Sequence, residues 1–82
     1  MTTAREKLLD TVVGHLRAEL PLDGHQIAES DVLADLPDAD SVHMFRIAAR
    51  LERQFHVEFD DGSLFAVRTV GQLVDLLASV TS

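Results

Sequence analysis

The groups of this 82-residue chain that could do chemistry are four histidines, fourteen acidic residues and, among five serines, Ser41, set between Asp40 and Val42. A serine nucleophile needs a base within hydrogen-bond reach. His43 is near in sequence, but residues two apart on a helix point about 200° from each other. Asp40 is adjacent and better used as a helix cap. His15, His25 and His56 stand at no spacing that ties them to Ser41, and there is no Gly-x-Ser-x-Gly elbow. The histidines lack metal-ligand spacing and the acids are spread rather than paired. Hydrolase and metalloenzyme readings therefore have little behind them, and no catalytic or metal site is expected.

Attachment suits Ser41 better. A helix N-terminus favours a negative group through its unpaired backbone N–H groups and its dipole. A phosphodiester built on this hydroxyl would sit well there. The chain has no cysteine, so it offers no disulfide, thiolate metal site or thiol nucleophile. Any sulfur nucleophile it uses must come with a cofactor. The plainer alternative is that Ser41 only starts a helix, within a helical interaction or scaffolding domain.

Four segments must position that serine. Thr3-Ala4-Arg5-Glu6 fits a capping box, followed by Leu8, Leu9, Val12, Val13, Leu16 and Leu20 at helical spacing, with Pro21 closing the helix. Residues 21–40 form a long connection holding Pro21, Gly24, Pro37 and five aspartates, in which Ile27, Val32, Leu33 and Leu36 are expected to pin the chain to the core. Loops this long in small domains are usually functional. Asp40 caps a second helix over 41–55. Asp60-Asp61-Gly62-Ser63 reads as a turn into a short helical segment near Leu64 and Phe65. Thr69-Val70-Gly71-Gln72 is a second capping box, opening a helix with Val70, Leu73, Val74, Leu76, Leu77 and Val80 on its apolar positions. No alternating run is long enough for a strand. The expected fold is all-α: a small four-helix bundle, three main helices plus a short one, with a long loop between the first two.

The second helix has three faces. Met44, Ile47, Ala48, Leu51 and Phe55 form a core stripe. Val42, Phe45 and Ala49 form another, roughly 130° away. His43, Arg46, Arg50 and Arg53 form a third. A simple bundle needs only the first. The second, beside Ser41, suggests contact with another protein, unless Val42 and Phe45 merely pack on neighbouring segments. The basic stripe is either a solvated face or part of the same recognition surface.

Composition narrows the class. The apolar fraction of 46% suffices for one core despite a net charge of −7, so residues 1–82 are expected to fold as one domain. The N-terminal residues lack the apolar stretch of a signal peptide, and no run approaches ~18 apolar residues, which suggests a cytoplasmic protein. Net acidity disfavours nucleic acid and anionic membranes as partners.

The chain resembles the acyl carrier proteins over nearly its whole length. The resemblance rests on the first helix, the acidic loop with Val32-Leu33-Ala34-Asp35-Leu36, Asp40-Ser41-Val42, and Leu51-Glu52-Arg53-Gln54-Phe55. It continues through Val57-Glu58-Phe59-Asp60-Asp61 and Arg68-Thr69-Val70-Gly71-Gln72-Leu73. Each piece is unspecific, but their order and spacing together are strong. The resemblance implies a carrier, not an enzyme. Ser41 would hold a covalent 4′-phosphopantetheine arm from coenzyme A, attached by a phosphopantetheinyl transferase, with acyl groups carried as thioesters on its terminal thiol. It implies that Val42, Phe45, Ala49 and Val67 meet partner enzymes, and that Met44, Leu51, Leu64 and Val67 line a cleft for the acyl chain.

Two departures from the family pattern bear on function. The loop before the serine lacks the usual glycine after Leu36; Pro37-Asp38-Ala39 makes it one residue longer, and proline stiffens it. His43, Arg46 and Arg53 stand where the family commonly has acids, so basic docking patches of fatty-acid enzymes should bind poorly. The resemblance thus points to a discrete, monomeric carrier of a specialised polyketide or mixed polyketide–nonribosomal pathway. Its partners would be acyltransferase, ligase or synthase enzymes with acidic residues opposite Arg46, Arg50 or Arg53. An aminoacyl or peptidyl carrier is the neighbouring possibility, disfavoured by the missing glycine-rich approach to the serine.

Overall fold

The computed structural model describes residues 4–22, 24 and 26–81. Its elements are α1 (Ala4–Glu19), α2 (Ser41–Phe55), α3 (Asp61–Ala66) and α4 (Val70–Thr81), with one 3₁₀ turn at Leu33–Asp35 in the long α1–α2 connection. The all-α bundle of three main helices and a short one is as expected. Thr3, the expected cap of α1, and His25 lie outside the described residues.

The apolar periodicity becomes the core directly. Val12 and Leu16 of α1 meet Ile47 and Leu51 of α2 and Val70, Leu73, Val74 and Leu77 of α4, all essentially inaccessible to solvent. Helix α1 packs against both α2 and α4, and α3 packs against α4. Polar links also join α1 to α2: Arg50 pairs with Glu19 at 2.9 Å, and His15 Nε2 lies 2.7 Å from Gln54 Oε1. Helix α2 ends at His56, whose backbone is left-handed (φ 56°) and whose N–H donates to the Glu52 carbonyl. The Glu52 carboxylate in turn accepts the Phe59 N–H at 2.9 Å, tying the exit of α2 to the buried Phe59.

The connection between α1 and α2 is held by side chains and backbone together. Leu22, Leu33 and Leu36 are buried and Ile27 is half-buried. Val32 behaves differently from expectation: its side chain is exposed, and its residue holds the loop through an antiparallel bridge to Thr69. Around that bridge the Leu33 N–H donates to Arg68 O, Val70 N–H to Asp31 O and Gly71 N–H to Glu29 O, at 2.9–3.0 Å. Gly71 permits the last of these, because a Cβ there would stand 3.2 Å from both the Glu29 carbonyl oxygen and Cβ. Arg5 adds ion pairs to Glu29 and Asp75, joining α1, the loop and α4. The loop therefore delivers the start of α2 from an anchored position.

Candidate functional site

The last turn before α2 is set by Leu36 and Asp38. Buried Leu36 accepts the Ala39 N–H through its carbonyl, and Asp38, after Pro37, takes a left-handed conformation (φ 59°) that aspartate tolerates better than most residues. Here the departure from a glycine-containing approach is accommodated by Asp38. Asp40 then caps α2: its carboxylate accepts the His43 N–H at 2.9 Å and lies 2.7 Å from His43 Nδ1. Those contacts, the backbone N–H of His43 first and its ring second, hold the Asp40 carboxyl below its ordinary range.

This division of labour decides the state of Ser41. In a cap built on serine, the hydroxyl oxygen would accept an N–H of the first turn. Asp40 takes that role one residue earlier. Ser41 is exposed at the first position of α2, and its hydroxyl makes no hydrogen bond among the described residues. The His43 ring is turned to Asp40, and no hydrogen bond joins it to Ser41 among the described residues.

Beside Ser41 a cavity of about 160 Å³ opens between α2, α3, the 3₁₀ turn and α4. Helix α2 contributes Ser41, Met44, Phe45 and Ala48 to its walls, and α3 contributes Leu64 and Phe65. Leu33, Val67 and Leu73 complete it. Met44, Leu64 and Val67 thus lie together, whereas Leu51 is fully buried in the core and is not part of the lining. Leu33, Ala48, Phe65 and Leu73 join the lining without any signal in the sequence beyond being apolar.

Val42, Phe45 and Ala49 are exposed along one face of α2, with Val42 58% and Phe45 46% accessible, and Phe45 also forms part of the cavity wall. Phe45 meets Phe65 of α3 edge-to-face, ring centroids 5.7 Å apart. The basic face divides. His43 is bonded to Asp40 and Arg50 to Glu19, while Arg46 and Arg53 are exposed with no ion pair among the described residues.

The family described as "Phosphopantetheine attachment site" matches residues 10–77. An acyl carrier protein from Coprothermobacter proteolyticus is 32% identical, the alignment covering 92% of this chain and 92% of the relative. The chain belongs to the acyl carrier protein family. Another acyl carrier protein, from Thermotoga maritima, is 30% identical over 90% of this chain and 91% of its own length. One from Tropheryma whipplei (strain Twist) is 29% identical over 94% of both. Membership implies a covalent 4′-phosphopantetheine prosthetic group. The site suits such a group: an exposed hydroxyl at a helix start, an apolar cavity next to it, and a chain without a thiol. Among the described residues no helix is long and apolar enough to cross a membrane.

Proposed function

We propose that Ser41 is the attachment point of the phosphopantetheine arm, and that residues 1–82 act as one monomeric carrier domain, passing acyl groups between enzymes without catalysing a step. The observation that carries this reading is the Ser41 hydroxyl, exposed and engaged with no other described residue while Asp40 caps the helix. A phosphate ester on that oxygen sits against the first turn of α2, where N–H groups and the helix dipole favour negative charge. The arm, once attached, supplies the thiol that the chain lacks. Asp40 and His43 fix the start of the helix and so the direction in which the serine oxygen projects. Tethering raises the effective concentration of the thioester at whichever enzyme docks around Ser41.

Docking is assigned to the exposed face of α2. Val42, Phe45 and Ala49, with Val67 across the cavity, supply apolar contact. Arg46 and Arg53 supply charge, and Arg50 adds less because Glu19 offsets it. Enzymes with basic docking patches are repelled by Arg46 and Arg53, and enzymes with acidic patches are attracted. That sign supports acyltransferase, ligase or synthase partners of a specialised, polyketide-type pathway. Met44, Leu64 and Val67 form the walls of the acyl cleft, with Leu51 packed behind them in the core.

Incubation with coenzyme A, magnesium and a broad-specificity phosphopantetheinyl transferase tests the reading by intact mass. A gain of one phosphopantetheine, absent in Ser41→Ala, is expected. A folded wild-type protein that gains nothing would leave only a helical interaction domain.

A further inference from the structure

The exposed apolar surface of this protein is gathered rather than scattered. Among the described residues, the large hydrophobic side chains that reach solvent are Val32, Val42, Phe45 and Phe65. Val42 and Phe45 stand three apart on α2 and so share a face. The Phe45 ring meets the Phe65 ring. Phe65 and Val32 in turn line a second groove, between the 3₁₀ turn, α3 and the start of α4. Single exposed hydrophobes need no explanation, but a connected tract over three segments marks a contact surface.

This groove adjoins the cleft beside Ser41 and shares Leu33, Phe65 and Val67 with it, but Ser41 is not in its walls. Its volume is about 460 Å³ and it is open to solvent, which suits side chains of a docked protein better than a ligand that must be enclosed. Its backbone is already set. The Val32–Thr69 bridge and the Leu33 N–H donated to Arg68 O fix the turn against α4, and the Gln72 side chain accepts the Arg68 N–H. A preorganised surface loses less freedom on binding. Arg68 supplies the charge: it is exposed and has no ion pair among the described residues. Arg46, next to Phe45 in sequence, is in the same condition. In a chain of net charge −7, unpaired arginines beside an apolar tract complement a partner that is apolar and acidic, and repel a basic one.

We propose that docking continues past α2 into this second groove, where an apolar segment of the partner carrying Asp or Glu seats against Val32, Ala34 and Phe65 and pairs with Arg68. Arg68 is then a specificity-determining residue for partner choice. That the partner is an acyl-handling enzyme rests on the carrier reading; the groove and its charge do not.

The test places p-benzoylphenylalanine at the exposed Ala34 position of the full chain, irradiates it in an extract of the native host and sequences the cross-linked peptide. Attachment to an acyl-handling enzyme, through a peptide with Asp or Glu among apolar residues, is expected. Arg68→Glu should cut the adduct yield severalfold, and Arg68→Lys should keep most of it. Reversing the partner's acid to Arg should restore the yield with Arg68→Glu and lower it with wild type. No adduct from position 34, a cross-linked peptide without an acid, a second copy of this chain as the adduct, or indifference to Arg68→Glu would each overturn the proposal. Loading of Ser41, read by intact mass on the same samples, keeps the two readings apart. A fully loaded protein that gives no adduct loses the groove alone, and an unloaded one that still gives the Arg68-dependent adduct loses the carrier reading alone.

Discussion

The starts of α2 and α4 are assembled from similar parts and use them differently. At α4 the Thr69 hydroxyl accepts the Gln72 N–H at 3.1 Å, and the Gln72 side chain accepts the N–H groups of Thr69 and Arg68. Its hydroxyl is consumed by the fold. At α2 the capping oxygen belongs to Asp40, and the hydroxyl that follows it is left over. Helix α3 resembles α4 in this respect, since the Ser63 hydroxyl donates to its own cap, Asp60. Moving the cap one residue upstream converts a structural hydroxyl into an available one. That displacement, rather than any special reactivity, is what distinguishes Ser41.

Exchanging the fates of the two hydroxyls is the sharpest way to break the comparison. Ser41→Ala should abolish phosphopantetheine loading completely and leave stability within about 0.5 kcal/mol of wild type, as for surface changes that remove no cap. Thr69→Ala should do the reverse, loading at the wild-type rate while losing about 1 kcal/mol, the usual cost of deleting a capping side chain. Intact mass and urea midpoints measure the two effects on the same samples. Loading that survives Ser41→Ala, or a stability loss there as large as in Thr69→Ala, would show that the α2 hydroxyl is structural after all.

A smaller effect follows from the charge on the α2 cap. The His43 contacts lower the Asp40 carboxyl in the folded protein, so its stabilising contribution is present above the unfolded aspartate value, about 4. It is lost as pH falls through the lower folded value. Asp40→Asn retains an acceptor for the His43 N–H but cannot titrate. The difference in urea midpoint between wild type and Asp40→Asn should shrink as pH falls below about 4. Thr69→Ala should show no such pH-dependent difference, because the α4 cap carries no charge. A pH-independent gap for both variants would mean that the Asp40–His43 contact does not distinguish the two helix starts.

Much of this was legible in the residues. The four helices follow from apolar spacing and cap chemistry, and the α4 capping box at Thr69 and Gln72 forms as its sequence implies. Asp40 as a cap, His43 facing away from Ser41 and the second apolar face of α2 are local consequences of helical geometry. What was not legible is what depends on separate elements meeting. Val32 looked like a core anchor because it is apolar, yet its side chain is exposed and it serves through the backbone bridge to Thr69. Leu51 carries the same apolar signal as Met44, but about two more turns along α2 place it in the core instead of the cavity wall. Phe65 gave no sign of a role, since only the placement of α3 brings its ring to Phe45. The basic stripe looked uniform until α1 supplied Glu19 to Arg50.

That last contrast sets apart residues on a single face and supports the smallest expected effect. Arg46 and Arg53 have no ion pair among the described residues, whereas Arg50 spans to α1. Arg46→Glu or Arg53→Glu should therefore leave stability within about 0.5 kcal/mol and slow acyl transfer with an acidic cognate partner severalfold. Arg50→Glu sets a like charge against Glu19, so its cost should fall in folding, by a few tenths to about 1 kcal/mol for a partly exposed pair. Screening separates docking from folding further. An encounter steered by exposed charges weakens as the Debye length contracts from about 10 Å at 0.1 M salt to about 3 Å at 1 M, so the transfer rates of Arg46→Glu and wild type should converge as salt rises. The urea midpoint of Arg50→Glu should stay displaced over more of that range, because the Glu19 side chain is only 11% accessible and is screened less. Equal transfer rates at low salt for Arg46→Glu, Arg53→Glu and wild type would show that this face of α2 is solvated surface with no part in partner choice.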